Sequence, residues 1–146
     1  IGVILNPAPG RPVSDELLSK VDVLTPNETE AAILTGQAVT DMESAEKAGR
    51  ILLDRGCKNV VITLGSGGAL CFNGCGVHHV PAFQVEAIDT TGAGDAFNGA
   101  LTVALAEGMS LVDAVRFANA AGAICVTRLG TSPAMPRRTE IEELLD

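Results

Sequence analysis

The residues best suited to chemistry lie in one short segment, Asp89–Asp95, which contains two glycines and ends in a carboxylate. Gly92 and Gly94 permit a tight turn and keep side chains away from an approaching ligand. The apolar pattern that follows predicts a helix from Ala96, and the first amides of a helix have no partner within it. Such a turn binds anions, which the helix dipole stabilises. The Asp95 carboxylate is placed to accept a hydroxyl proton, unless it only caps the helix.

This segment suits phosphoryl transfer, which needs positioning and charge stabilisation more than covalent chemistry. It is not a P-loop, because no Lys-Ser/Thr pair follows Gly94. It is not a dinucleotide-binding fingerprint either, because that motif requires a longer glycine spacing. The segment would suit a phosphoryl group in transfer, with Asp95 placed to take the proton of a sugar hydroxyl.

Two further motifs follow predicted strands. Asn27 and Glu30 are three residues apart and share one face of a predicted helix, where an amide and a carboxylate organise water around Mg²⁺. The alternative is an ordinary helix start in which the two residues cap each other. The second motif, Thr63–Gly68, lies where ligands of open α/β sheets gather, the alternative being a flexible connection between strands.

Strand-like and helix-like patterns alternate along the chain, which predicts an α/β fold. Strands are predicted over Ile1–Leu5, Val21–Leu24, Asn59–Leu64, Ala69–Phe72, Gly76–Val80 and Val85–Ile88. Helices are predicted over Ser14–Lys20 with Ser14 as the N-cap, after Asn27 to Gly36, from Thr40 to about Arg55, over Ala96–Glu107, from Ser110 to about Thr127, and over Glu140–Leu145 after a Thr139 cap. No repeat or linker interrupts the pattern, so we expect one domain over residues 1–146.

The composition of the chain argues against several other classes of function. The net charge is −8 and no basic run occurs, which argues against a nucleic-acid surface. No apolar run approaches the about 20 residues of a membrane helix. The four cysteines form no C-x-x-C pair, and we expect free thiols in a reducing cytoplasm, with a Cys71–Cys75 bridge as the alternative.

The string Asp89–Asp95 resembles the signature of the PfkB, or ribokinase-like, carbohydrate kinases, and Ala96–Leu101 continues the resemblance. The resemblance implies a three-layer α/β/α sandwich with a mostly parallel sheet and a small antiparallel hairpin region. It assigns Asp95 as the catalytic base facing the sugar and Gly92, Ala93 and Gly94 as the anion hole.

The resemblance extends to the other motifs and implies the cofactors ATP, Mg²⁺ and K⁺. Glu30 is expected to bind Mg²⁺ through water. The expected ATP contacts are Asn27, Thr63, Gly65, Ser66, Gly67, Gly68, Gly94 and Asn119. For Asn119 alone, the alternative is a solvent-facing helical residue. The positions that match the family's K⁺ ligands are Asp89, Thr91, Cys125, Arg128, Gly130 and Ala134, with Ala134 replacing a Ser of relatives.

The resemblance covers essentially the whole chain, which would form the C-terminal part of a longer kinase. No Gly-Gly-Lys-Gly-Ala-Asn-type sugar motif occurs, so the N-terminal half that supplies sugar contacts, a lid and the usual homodimer surface is expected to be missing. We expect this chain alone to show little kinase activity.

The loop Asn6–Pro9 and the segment Thr25–Glu30 are closest to ribokinases, which implies D-ribose as the substrate and D-ribose 5-phosphate as the product. Fructokinase, ketodeoxygluconokinase and nucleoside kinase activities are the first alternatives. A nucleotide-binding module without catalysis and a structural α/β domain are the others.

Overall fold

The structure, a computed structural model, describes residues 2–146, and the chain divides into two compact units. The first ends at His79 and the second spans Val80–Asp146. Each is described by itself below. The first residue of the strand predicted over Ile1–Leu5 lies outside the described residues.

A mixed sheet organises the first unit, with its strands in chain order. The strands are β1 (Ile4–Leu5), β2 (Val23–Leu24), β3 (Val60–Thr63), β4 (Ala69–Asn73) and β5 (Gly76–Val80). The pairs β1–β2 and β2–β3 are parallel, whereas β3 and β4 are antiparallel in the register Val60↔Phe72. The parallel part with an adjoining hairpin is the sheet that the sequence predicts.

Three helices connect the parallel strands. They are α1 (Asp15–Leu18), α2 (Glu28–Thr35) and α3 (Met42–Asp54). The Ser14 hydroxyl caps α1 by accepting from the Leu17 amide, as predicted, but α1 ends at Leu18 rather than Lys20. Helix α2 ends at Gly36, as predicted, and this glycine adopts the left-handed conformation. The N-cap of α3 is Asp41 rather than Thr40, because the Asp41 carboxylate and the Ser44 hydroxyl cap each other.

The core of this unit lies among the three helices and the sheet. Its fully buried members include Leu18, Leu24, Leu52, Ile62 and Phe72. Gly49 lets α3 approach β4 closely, since a Cβ built at Gly49 would lie only 2.2 Å from the Phe72 ring. A side chain at Gly49 would therefore force the helix and the strand apart.

The second unit is helical and consists of α4 (Ala93–Ala106), α5 (Leu111–Val126) and α6 (Arg138–Leu145). Ser110 caps α5 by accepting from the Asp113 amide, as predicted. The last helix begins earlier than predicted, since Arg137 rather than Thr139 is its N-cap and the Glu140 carboxylate accepts from the Arg137 amide. No helix among residues 2–146 combines the length and apolar character needed to cross a bilayer.

The strand predicted over Val85–Ile88 does not form. Among residues 2–146 these residues pair with no strand and Ile88 lies in a bend, and the amides of Ile88 and Asp89 donate instead to the carbonyl of Val126 at the end of α5. Hydrogen bonds to the C-terminal end of α5 take the place of strand pairing, although the apolar, β-branched composition of this segment is typical of a strand.

The cysteines are free thiols, as predicted, and the Cys71–Cys75 bridge is absent. Burial raises the pKa of Cys57 to about 11 and that of Cys71 to about 12, so these two thiols stay protonated. Cys75 is the exposed one.

Candidate functional site

The glycine segment of the second unit enters α4 three residues earlier than the sequence predicts. Gly92 is the N-cap with φ +81°, a left-handed conformation that favours glycine. A Cβ there would also lie 3.4 Å from the Met135 methyl and 3.5 Å from Thr131 Cα. Asp95 consequently occupies the first turn of the helix instead of the loop before it.

Asp95 does not cap α4, so the capping alternative is wrong for this residue. Its side chain is exposed and the helix has no side-chain cap. The Ala93 and Ala96 amides donate to Thr90 and Gly92, whereas those of Gly94 and Asp95 have no acceptor among the described residues. An exposed carboxylate and two unpaired N–H groups therefore share one turn, the combination that binds an anion while accepting a proton.

Asp89 anchors the start of this segment. Its Oδ1 accepts from the Thr91 amide at 2.9 Å, and its Oδ2 accepts from the Gly130 amide at 3.0 Å. Hydrogen bonds from the Thr91 side chain and from these two amides hold the pKa of Asp89 below its ordinary value. The carboxylate is therefore ionised at neutral pH and ties the glycine segment to the chain 41 residues later.

The segment after α5 completes this arrangement. The buried Cys125 lies with its Sγ 3.9 Å from the Thr91 carbonyl oxygen and packs in a cluster with Ala96 and Ala134. Burial, together with the nearby charge of Asp89, raises the pKa of the Cys125 thiol. The Arg128 side chain pairs with Glu140.

These contacts allow the predicted cation ligands to be tested against the geometry. Asp89 contacts Thr91 and Gly130, Thr91 contacts Cys125, and an ionised carboxylate beside backbone carbonyls is a donor set that fits a monovalent cation. Because the Cys125 thiol stays protonated, only its carbonyl is a suitable ligand. The same holds for Ala134, which has no polar side chain.

In the first unit, Asn27 and Glu30 form the reciprocal capping box of α2. The Asn27 side chain accepts from the Glu30 amide at 2.8 Å, and Glu30 Oε2 accepts from the Asn27 amide at 2.9 Å. Mutual capping, the alternative interpretation of this pair, is thus confirmed. A carboxylate has lone pairs beyond those this bond uses, so Glu30 also fits a water-mediated Mg²⁺ contact.

Asn27 and Thr63 are neighbours at the carboxyl ends of β2 and β3. They form an isolated parallel bridge in which the Thr63 amide donates to the Pro26 carbonyl at 3.0 Å. Upstream, Asn6 Nδ2 donates to the Thr25 carbonyl at 3.0 Å. The structure therefore brings the Asn27 motif to the start of the second glycine loop.

The loop Gly65–Gly68 consists of one 3₁₀ turn, Gly65–Gly67, and Gly68, whose φ is +88°. The Gly67 amide donates to the Leu64 carbonyl at 2.9 Å, and the Leu64 amide donates to the Gly68 carbonyl at 2.8 Å. These bonds close the loop into a turn. The His79 Nε2 lies 2.7 Å from the Gly67 carbonyl oxygen, a contact that sequence patterns do not predict.

Asn119 is buried on α5, so the solvent-facing alternative is wrong. Its Nδ2 donates to the carbonyls of Val80 and Pro81 at 3.0 and 3.1 Å. The side-chain nitrogen is thus committed to the backbone at the start of the second unit, and its oxygen stays available as an acceptor.

The predicted site residues divide between the units. Asn27, Glu30, Thr63 and the loop 65–68 lie in the first, and the others lie in the second. Among residues 2–146, no cluster of three His, Cys, Asp or Glu side chains forms a metal site of that kind.

The model of the pfkB family of carbohydrate kinases matches residues 1–138 of this chain. The chain belongs to this family. The predicted fold class is thereby confirmed as a partial ribokinase-like α/β fold within the pfkB family.

Individual pfkB-type proteins resemble the chain over its whole length. It is 48% identical to the ribokinase of Haemophilus influenzae, over 100% of this chain and 48% of that protein. A structure of Arabidopsis thaliana ribokinase complexed with ribose and ATP has a TM-score of 0.93 and 37% identity, over 99% of this chain and 47% of the other. Escherichia coli phosphofructokinase-2 in complex with potassium has a TM-score of 0.82 and 30% identity, over 99% and 46%. The chain spans about half the length of the curated relatives it matches.

Proposed function

We propose that residues 1–146 form the C-terminal, nucleotide-binding part of an ATP-dependent sugar kinase that converts D-ribose to D-ribose 5-phosphate. Family membership and the similarity to ribokinases support the sugar kinase. The Arabidopsis ribokinase structure holds ribose and ATP, which supports the choice of these substrates. The other half of the same protein supplies most sugar contacts, and the complete enzyme is a cytoplasmic homodimer.

The observation that carries the proposal is the exposed Asp95 carboxylate beside two unpaired amides in the first turn of α4. The sugar hydroxyl oxygen attacks the γ-phosphorus of ATP, its proton passes to Asp95, and the bond to the bridging oxygen of ADP breaks. The amides at Gly94 and Asp95, with the turn at Gly92 and Ala93, stabilise the charge on the transferring group.

The remaining assignments follow the two glycine loops. Thr63 and the loop Gly65–Gly68 contact the phosphates and ribose of ATP, and Asn27 contacts the phosphates. Asn119 acts near the adenine by holding the backbone at Val80 and Pro81, because its Nδ2 is already bonded there.

Two cations complete the proposal. Glu30 would hold Mg²⁺ through water, and this ion would neutralise phosphate charge. Asp89, Thr91, Cys125, Arg128, Gly130 and Ala134 would hold K⁺, which would offset carbonyl dipoles next to the anion site. The potassium complex of the related phosphofructokinase-2 supports a monovalent cation in this family.

The decisive experiment is Asp95→Asn in the complete protein. Removing the base should lower kcat by about 10²–10⁴-fold while the affinity for ATP stays within about twofold. A coupled assay gives the rates, and titration calorimetry with a non-hydrolysable ATP analogue gives the affinity. Equal activity in the variant and the wild type would contradict catalysis by Asp95 and favour a nucleotide-binding module.

Substrate choice is tested with the wild-type complete protein. Ribose should give the highest kcat/KM among ribose, fructose, 2-keto-3-deoxygluconate and nucleosides, and a lower rank for ribose would reassign the substrate. The chain of 146 residues by itself should show no ribose-dependent ATP turnover. Turnover at the rate of the complete enzyme would contradict the need for the other half.

A further inference from the structure

The loop Gly65–Gly68 has little side-chain packing to hold it in place. Gly65, Ser66 and Gly67 are exposed, and a Cβ built at Gly65 would meet nothing within 4 Å. Internal bonds define the turn, with the Gly68 amide donating to the Gly65 carbonyl at 3.1 Å. The amides of Gly65 and Ser66 have no acceptor among the described residues, so they remain available to a ligand.

One side chain reaches this loop from elsewhere in the sheet. His79 stands on β5, and its Nε2 lies 2.7 Å from the Gly67 carbonyl oxygen. A carbonyl only accepts, so the imidazole must carry its proton on Nε2 and donate. Both the neutral Nε2–H form and the imidazolium meet this condition. The bond spans 12 residues and ties the loop to a strand.

We propose that His79 is a positioning residue for the nucleotide, acting through the loop Gly65–Gly68; this rests on the proposed ATP site. By fixing the Gly67 carbonyl, the imidazole holds the 3₁₀ turn closed, which keeps the Gly65 and Ser66 amides directed outward. Loss of the bond leaves the turn intact in part but less ordered, and ATP must then order it on binding.

The test compares three variants of the complete protein. His79→Ala removes the donor. His79→Gln keeps a neutral N–H donor at the same number of bonds from Cβ. His78→Ala is the matched control, since successive residues of a strand point to opposite faces and His78 is the neighbour of His79 on β5.

Removing one net hydrogen bond predicts an increase of about 3–10-fold in the Kd and KM for ATP in His79→Ala. The kcat, the KM for the sugar and the midpoint of thermal unfolding should match those of His78→Ala. His79→Gln should restore the ATP affinity to within about twofold of the wild type, which a role in simple packing would not produce.

Three outcomes overturn the proposal: equal ATP affinity in His79→Ala and His78→Ala, no rescue by Gln, or an equal rise in the KM for the sugar. The wild-type titration separates this inference from its premise. If the complete wild-type protein does not bind the ATP analogue, the proposed function itself fails. If it binds and His79→Ala binds equally well, only the role of His79 fails.

Discussion

The two glycine-rich loops share a composition but are built differently. The loop 65–68 joins two strands, closes its turn with internal bonds that leave the Gly65 and Ser66 amides unpaired, and is held by one imidazole. The segment 89–95 leads into a helix, is anchored by the Asp89 carboxylate and leaves two helical amides unpaired. In the loop 65–68 the glycines mainly allow backbone conformations that other residues rarely adopt. In the segment 89–95, Gly92 and Gly94 serve two separate purposes.

The contrast is sharpest between Gly92 and Gly94. Gly92 needs its left-handed φ of +81° and lies against Thr131 and Met135. Gly94 has neither constraint, since its φ is not positive and a Cβ there would meet nothing within 4 Å. The chain itself thus gives a reason for glycine at 92 but none at 94, which points to a ligand that approaches Gly94.

The largest effect is expected for Gly94→Ala in the complete protein. A methyl group in the path of the phosphate should lower kcat/KM by about 10²–10³-fold, comparable to the loss of an oxyanion-hole donor. Stability should be unchanged or slightly higher, because Ala is the better helix former. Steady-state kinetics and thermal unfolding check both. Wild-type activity in this variant would show that the phosphate does not approach Gly94.

Gly92→Ala should reduce the stability of the fold, in contrast to Gly94→Ala. A left-handed conformation costs a non-glycine residue about 1–2 kcal/mol, so the free energy of unfolding should fall by that amount. Denaturant unfolding measures it, with Gly94→Ala as the matched control. An equally stable Gly92→Ala would contradict the left-handed conformation of the N-cap.

The smallest expected effect is a pH-dependent loss of stability when the Asp89 carboxylate is replaced. Since hydrogen bonds lower its pKa, Asp89 stabilises the fold at pH values above its unfolded pKa, and this contribution is lost as pH falls through its folded pKa. Asp89→Asn should therefore be less stable at neutral pH and approach the wild type in acid. Urea unfolding across this range gives the difference.

A constant difference between Asp89→Asn and wild type down to the lowest pH would contradict an ionised anchor. If the K⁺ proposal also holds, Asp89→Asn should require more K⁺ for half-maximal activity of the complete enzyme.

The sequence predicted the elements well wherever a local signal was strong. Ser14, Gly36, Asn27 and Ser110 mark helix ends through bonds between near neighbours, and the structure forms each of them. The predicted strand at Val85–Ile88 failed because its composition carries no information about which distant group its amides meet, in this chain the Val126 carbonyl.

The same limit applies to the site. The motif spacing identified the segment 89–95, yet it did not predict that α4 begins three residues early, or that Thr131 and Met135, far along the chain, would leave no open space for a side chain at Gly92. The Asn119 contacts and the contact of His79 with Gly67 likewise join residues that are distant in the sequence. A single Asn in a predicted helix and a single His in a predicted strand therefore gave no signal of these contacts. The catalytic and ligand roles of these residues remain predictions.

The close approach of α3 to Phe72 affects how mutational tolerance should be interpreted in this protein. In a saturation scan, Gly49 and Gly94 would both reject every substitution, one because the interior has no room and the other because a substrate needs the space. Abundance of the folded protein would fall only for changes at Gly49. Measuring the abundance of folded protein and the catalytic turnover in parallel would therefore distinguish a glycine required for folding from one required for activity, even where a single fitness score is the same for both.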